Sequence, residues 1–146
     1  MRTAETLTIT APAEEVWAVL ADFGRISVWA PNVDHSCLMS HQTDGVGTVR
    51  RIQTGRTTVV ERVIEWEAGE RLSYTIEGLP PVIRSVTNTW TLAEAFGATT
   101  VTLTSEIDTG PKPPQKAIAR GLARTLGKAS VQMLGGLNGH LKAVTA

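Results

Sequence analysis

Residues 115–144 read QKAIARGLARTLGKASVQMLGGLNGHLKAV. Ile118, Leu122, Leu126, Ala129, Met133, Leu137 and Leu141 recur three and four apart, which predicts one long amphipathic helix over Gln115–Val144. Gly121, Gly127, Gly135, Gly136 and Gly139 lie inside it, and each costs up to about 1 kcal/mol against alanine in a helix interior. They suit either cavity room or close packing on a sheet. The stretch Asp108-Thr109-Gly110-Pro111-Lys112-Pro113-Pro114 before the helix is a stiff connector. Upstream of it the period falls to two. Val33–Ser40, Gly47–Thr54, Thr57–Trp66, Arg71–Glu77, Ile83–Leu92 and Thr99–Ile107 read as strands rich in Thr, Val and Ile. Asp44-Gly45, Gly55-Arg56, Ala68-Gly69, Gly78-Leu79-Pro80-Pro81 and Phe96-Gly97-Ala98 separate them as turns, in the rhythm of an antiparallel meander.

The beginning of the chain completes the order. Glu5–Thr10 alternates as a strand, Ala13–Ala21 has helical spacing after Pro12, and Arg25–Ala30 forms a second short helical turn closed before Pro31. Asp22-Phe23-Gly24 reads as the stop between them. A strand, two short helices, six strands and a long helix make an α+β domain with a curved seven-stranded antiparallel sheet. Its apolar concave face needs a cover, and only the C-terminal helix is long enough to supply one. A cavity between sheet and helix is a natural outcome of that geometry.

Composition narrows the function. The chain has 146 residues, which predicts one domain over 1–146. Lys plus Arg and Asp plus Glu are both 14, so the net charge is zero and the electrostatic footprint of a nucleic-acid binder is missing. No apolar run reaches the roughly 18 residues of a membrane span, and the first residues carry no signal-peptide core. Cys37 is the one cysteine, which fits a reducing, cytoplasmic setting. There is no Gly-x-Ser-x-Gly elbow, no glycine-rich phosphate loop and no other sign of a cofactor. His35, Cys37 and His41 share a strand parity but match no metal-site spacing, so no metal is expected and Cys37 is read as an inert buried thiol. Lys112, Lys116, Arg120, Arg124 and Lys128 recur every fourth residue and read as a solvated helix face.

Several short motifs fall in a familiar order: Thr10-Ala11-Pro12-Ala13-Glu14-Glu15-Val16-Trp17, Leu20-Ala21-Asp22-Phe23, Trp29-Ala30-Pro31, Gly45-Val46-Gly47-Thr48-Val49-Arg50, Glu61-Arg62-Val63 and Arg71-Leu72-Ser73-Tyr74. Together they resemble the Bet v 1-like helix-grip superfamily, including START and polyketide cyclase/dehydrase-like proteins. The resemblance implies a helix-grip fold with an internal cavity for a small hydrophobic ligand. The middle of the chain is also similar to plant abscisic-acid receptors, in which the residues matching Arg50 and Glu61 face the cavity. Their Gly-Leu-Pro gate loop has no match between Ile52 and Thr58.

On this basis the candidate ligand-binding residues are Arg50, Glu61, Tyr74, Asn88, Trp90, Pro80 and Met133. Arg50 suits oxygen acceptors and Glu61 would orient it, but the pair also fits an outward cross-strand ion pair. Val59 and Val63 balance Val60 and Ile64, so alternation alone does not choose the face. Trp90 shares a face with Val86, Asn88 and Leu92, either as cavity wall or as ordinary core. The resemblance puts the Pro80 loop at the cavity mouth. Three functions follow. The first is binding or transport of a lipid, isoprenoid or polyketide-like ligand. The second is a polyketide aromatase/cyclase or dehydratase, with Arg50 stabilising an enolate and Glu61 moving a proton. The third is a partner-binding module without a ligand.

Overall fold

The computed structural model describes residues 1–145. Strands β1 (Arg2–Ile9), β2 (His35–Leu38), β3 (Val49–Thr54), β4 (Thr57–Glu67), β5 (Arg71–Glu77), β6 (Ser85–Ala95) and β7 (Ala98–Asp108) form one antiparallel sheet in the order β1-β7-β6-β5-β4-β3-β2. Helix α1 (Ala13–Ala21) and a 3-10 helix (Phe23–Val28) link the two edges of the sheet, and α2 (Pro113–Thr145) ends the chain. This is the α+β helix-grip arrangement that the sequence predicts. A bulge in β4 between Val63 and Glu65 interrupts the ladder and bends the sheet.

Alternation decides which side chains go inward. In β7, Thr99, Val101, Leu103, Ser105 and Ile107 are buried, while Thr100, Thr102 and Thr104 face out. The outward threonines pair across strands, Thr6 with Thr102 at 3.1 Å and Thr8 with Thr100 at 3.4 Å. The inward side meets Val16 and Leu20 of α1, Phe23 and Ile26 of the 3-10 helix, and Leu134, Leu137 and Leu141 of α2 in one core. A smaller cluster joins Val86, Ile107 and Ala119 to Leu79, Ile83, Leu122 and Leu126.

The structure corrects several sequence expectations. β2 is only four residues long, far shorter than Val33–Ser40. Ser36 and Leu38 turn inward, and Ser36 bonds to the Gly24 carbonyl at 2.9 Å. Cys37 is therefore exposed, not buried. The second short helix begins at Phe23, so Asp22-Phe23-Gly24 is a junction and not a stop. β6 starts at Ser85 and runs to Ala95, where Phe96 and Gly97, both with positive φ, make a tight turn. α2 starts at Pro113, where a missing N–H costs nothing in the first turn. Ile118, expected on the buried stripe, is 41% exposed. Ala119, Gly127 and Ser130 are buried in its place, because α2 lies close to β1 and β7 and small residues allow that approach. A Cβ added at Gly127 would sit 3.5 Å from Thr3 Oγ1.

Candidate functional site

The β3–β4 hairpin sets Arg50 directly opposite Glu61. Both point inward, since Ile52, Val59 and Val63 share their faces. Their side chains are 3% and 7% exposed. Glu61 Oε1 accepts from Arg50 Nε at 2.8 Å and lies 2.7 Å from Nη2. Arg50 Nη1 donates to the Phe23 carbonyl at 3.0 Å. The guanidinium also lies over two rings, 3.7 Å from the Phe23 centroid and 4.7 Å from that of Tyr74. A desolvated contact of this kind contributes about 2 kcal/mol.

A row of polar side chains continues across the sheet. Strand register places Tyr74 beside Asn88 and Asn88 beside Ser105. Ser105 Oγ donates to Asn88 Oδ1 at 2.6 Å, and Trp90 Nε1 donates to the Tyr74 hydroxyl at 3.2 Å. Trp90 packs edge-on against Trp29, with centroids 5.8 Å apart. The large majority of buried polar groups in folded proteins have such partners.

Between this row and α2 lies a cavity of about 100 Å³. Glu61, Tyr74 and Asn88 form its polar wall. Ile52, Val59 and Ile76 line the sheet side, and Leu126, Ala129 and Met133 close it from α2. Ile26, Asn32 and Val33 close the end nearest the 3-10 helix, and Thr54 stands at the rim. Hollows of about 450 and 420 Å³ elsewhere are open surface clefts, one around Met1, Ser85 and Glu106 and one between β1 and α2. Neither meets the buried polar row, so the small inner cavity is the candidate site.

Of the seven residues expected from sequence, Glu61, Tyr74, Asn88 and Met133 line this cavity. Arg50 is enclosed behind Glu61 and Trp90 behind Tyr74, and neither is part of the lining. Pro80 is exposed in the β5–β6 loop and lies outside the lining, whereas Leu79 and Ile83 of that loop pack on the smaller cluster. Arg50 thus stands behind the cavity wall, bonded to Glu61 and the Phe23 carbonyl. Asn32 went unnoticed in the sequence because it follows Pro31 in an irregular segment without period. Among the described residues no group of three His, Cys, Asp or Glu is placed to hold a metal.

Burial pushes the Glu61 carboxyl above its ordinary value of 4.5, against the opposing pull of Arg50. Burial also raises Tyr74, with the Glu61 charge adding to the effect. A carboxyl raised in the folded state contributes stability below its unfolded pKa, and that contribution is lost as pH rises through the folded pKa. Unfolding free energy measured in urea should therefore fall from about pH 4.5 upward, relative to a Glu61→Gln variant, which cannot ionise there. A constant difference between the two proteins across that range would show that Glu61 titrates normally.

A curved antiparallel sheet gripping a long C-terminal helix defines the helix-grip class of fold. The pattern of the family described as polyketide cyclase / dehydrase and lipid transport matches residues 1–142, and the chain belongs to that family. No curated protein matches the chain in sequence. Among solved structures, the ZhuI aromatase/cyclase from Streptomyces sp. R1128 superposes with a TM-score of 0.82 at 18% identity, covering 100% of this chain and 96% of its own. A protein from Thermobifida fusca gives 0.80 at 25% identity, covering 96% and 92%. A START superfamily protein from Mycobacterium smegmatis gives 0.77 at 11% identity, covering 98% of each chain. Family membership supports a ligand-binding or cyclase role. No described helix is long and apolar enough to cross a membrane.

Proposed function

We propose that the protein binds a small hydrophobic or amphipathic molecule between the sheet and α2. The observation that carries this reading is the composition of the cavity. One wall holds Glu61, Tyr74 and Asn88, and most of the remaining surface is aliphatic. A few fixed polar groups in an apolar hollow give a ligand both burial and orientation. At about 100 Å³ the space is smaller than the roughly 300–1,000 Å³ of typical ligand sites, so a larger ligand requires the lining to move. Met133 is the flexible part of that lining, and Val59 and Ala129 within it are half-buried. The exposed thiol of Cys37, with no second cysteine to pair with, fits a reducing, cytoplasmic setting.

Titration with a panel of fatty acids, isoprenoids and aromatic polyketides, followed by tryptophan fluorescence, tests the reading. Trp90 reports on the cavity through its bond to Tyr74. Saturable binding is expected in the native chain, with a loss of at least tenfold in Ala129→Phe, which fills the space beneath α2. Binding that ignores this substitution would place the ligand elsewhere.

The aromatase/cyclase reading is supported by one feature, a buried carboxyl shifted upward beside a tyrosine hydroxyl at the cavity wall. In that reading Glu61 moves the proton and Tyr74 steadies the developing oxyanion, in place of Arg50.

A further inference from the structure

Among the residues lining the cavity, one polar atom is both sealed from solvent and without a hydrogen-bond partner. Arg50 spends its donors on Glu61 and the Phe23 carbonyl, with an aromatic ring near its centre on two sides. It is 2% exposed and does not reach the lining. No other Lys, Arg or His lines the cavity. Asn88 Oδ1 is taken by Ser105, and the Tyr74 oxygen by Trp90. Asn32 Oδ1, in contrast, is sealed from solvent and has no hydrogen-bond partner among the described residues. Trp29 Nε1 is likewise unpartnered, but Trp29 stands outside the lining.

A carboxylate entering this space would lose its hydration, meet no free cation and lie against the Glu61 carboxyl. Desolvating an unpaired charge is far more costly than desolvating a neutral hydroxyl that finds an acceptor. We infer that the site selects an uncharged ligand whose hydroxyl donates to Asn32 Oδ1, and that it turns anions away. This rests on the ligand-binding reading above and adds the polarity of the ligand to it. Because an engineered cavity of about 150 Å³ accommodates benzene, a single-ring probe is the right scale, with Met133 yielding the remaining space.

Toluene, phenol and benzoate are suitable probes, each titrated at neutral pH with tryptophan fluorescence and protein NMR as readouts. Phenol should bind about five- to tenfold more tightly than toluene, the margin of one good hydrogen bond, and benzoate should not saturate. In Asn32→Leu the phenol margin over toluene should vanish while toluene binding holds. Asn32→Asp keeps an acceptor and should retain the margin. Benzoate binding as tightly as phenol would overturn the inference, as would a margin that survives Asn32→Leu. Toluene binding without any phenol margin overturns the polarity rule and leaves the apolar-ligand reading standing. If none of the three binds, either to the native chain or to Met133→Ala with its enlarged cavity, both readings fall.

Discussion

Replacing Glu61 with alanine is expected to lower the unfolding free energy by about 3–5 kcal/mol, the range for breaking a buried ion pair from one side. The cause is not the lost attraction but the charge left behind. The Arg50 side chain is only 3% exposed, so the guanidinium left behind is a buried cation. Without Glu61 it retains one carbonyl and two ring faces as its partners among the bonds described above. Those do not neutralise a buried cation. Replacing both members by apolar residues of similar volume, Arg50→Met with Glu61→Leu, removes the problem at its source. The double variant should recover most of the loss, and urea denaturation of the single and double variants checks this as a double-mutant cycle. A loss under about 1 kcal/mol in Glu61→Ala would mean that water reaches Arg50 and that the pair behaves as a surface pair does.

The second large effect runs against helix propensity. Alanine for glycine inside a helix should gain up to about 1 kcal/mol, and Gly121, Gly135 and Gly139 have nothing within 4 Å of an added Cβ. Gly135→Ala should therefore raise the midpoint of thermal unfolding. Gly136→Ala, one residue further, should lower stability by about 1–3 kcal/mol, the usual cost of overpacking. Its Cβ would collide with the Trp29 carbonyl oxygen and sit 2.6 Å from Pro31 Cδ. Backbone and proline ring cannot rotate aside, so α2 would have to lift from the segment that ends the 3-10 helix. Two neighbouring substitutions of the same kind thus carry opposite signs, and calorimetry on the pair separates them. Stabilisation by both would mean that α2 is free to shift at this point.

The glycines illustrate what a sequence can convey. Their number inside one helix marks a packing constraint, but which one touches the opposing backbone depends on helix rotation, and rotation is set by contacts with other elements. The same limit misplaced Ile118. Of the stripe of apolar residues, Met133, Leu137 and Leu141 are buried as expected, yet the small Ala119, Gly127 and Ser130 also face inward while Ile118 does not. Strand order and hairpins were legible because alternation and turn residues are local. The turn at Gly55-Arg56 even fixes that Arg50 and Glu61 lie opposite each other. Their common face was not legible, since valines stand on both sides of β4 and only the surrounding Phe23, Tyr74 and α2 make one side the interior. Asn32 and the enclosure of Arg50 by Phe23 join segments distant in sequence, and no period announces such meetings.

The ladder between β1 and β7 pairs residues as far as 104 positions apart. The chain's earliest strand therefore has no neighbour until almost everything else has been made. Loop closure over that span must be met before its pairing is rewarded, which places the sheet among slow, non-local folders. In a growing polypeptide the order of synthesis and the order of assembly run in opposite directions at this edge: the strand that emerges first is completed by the last.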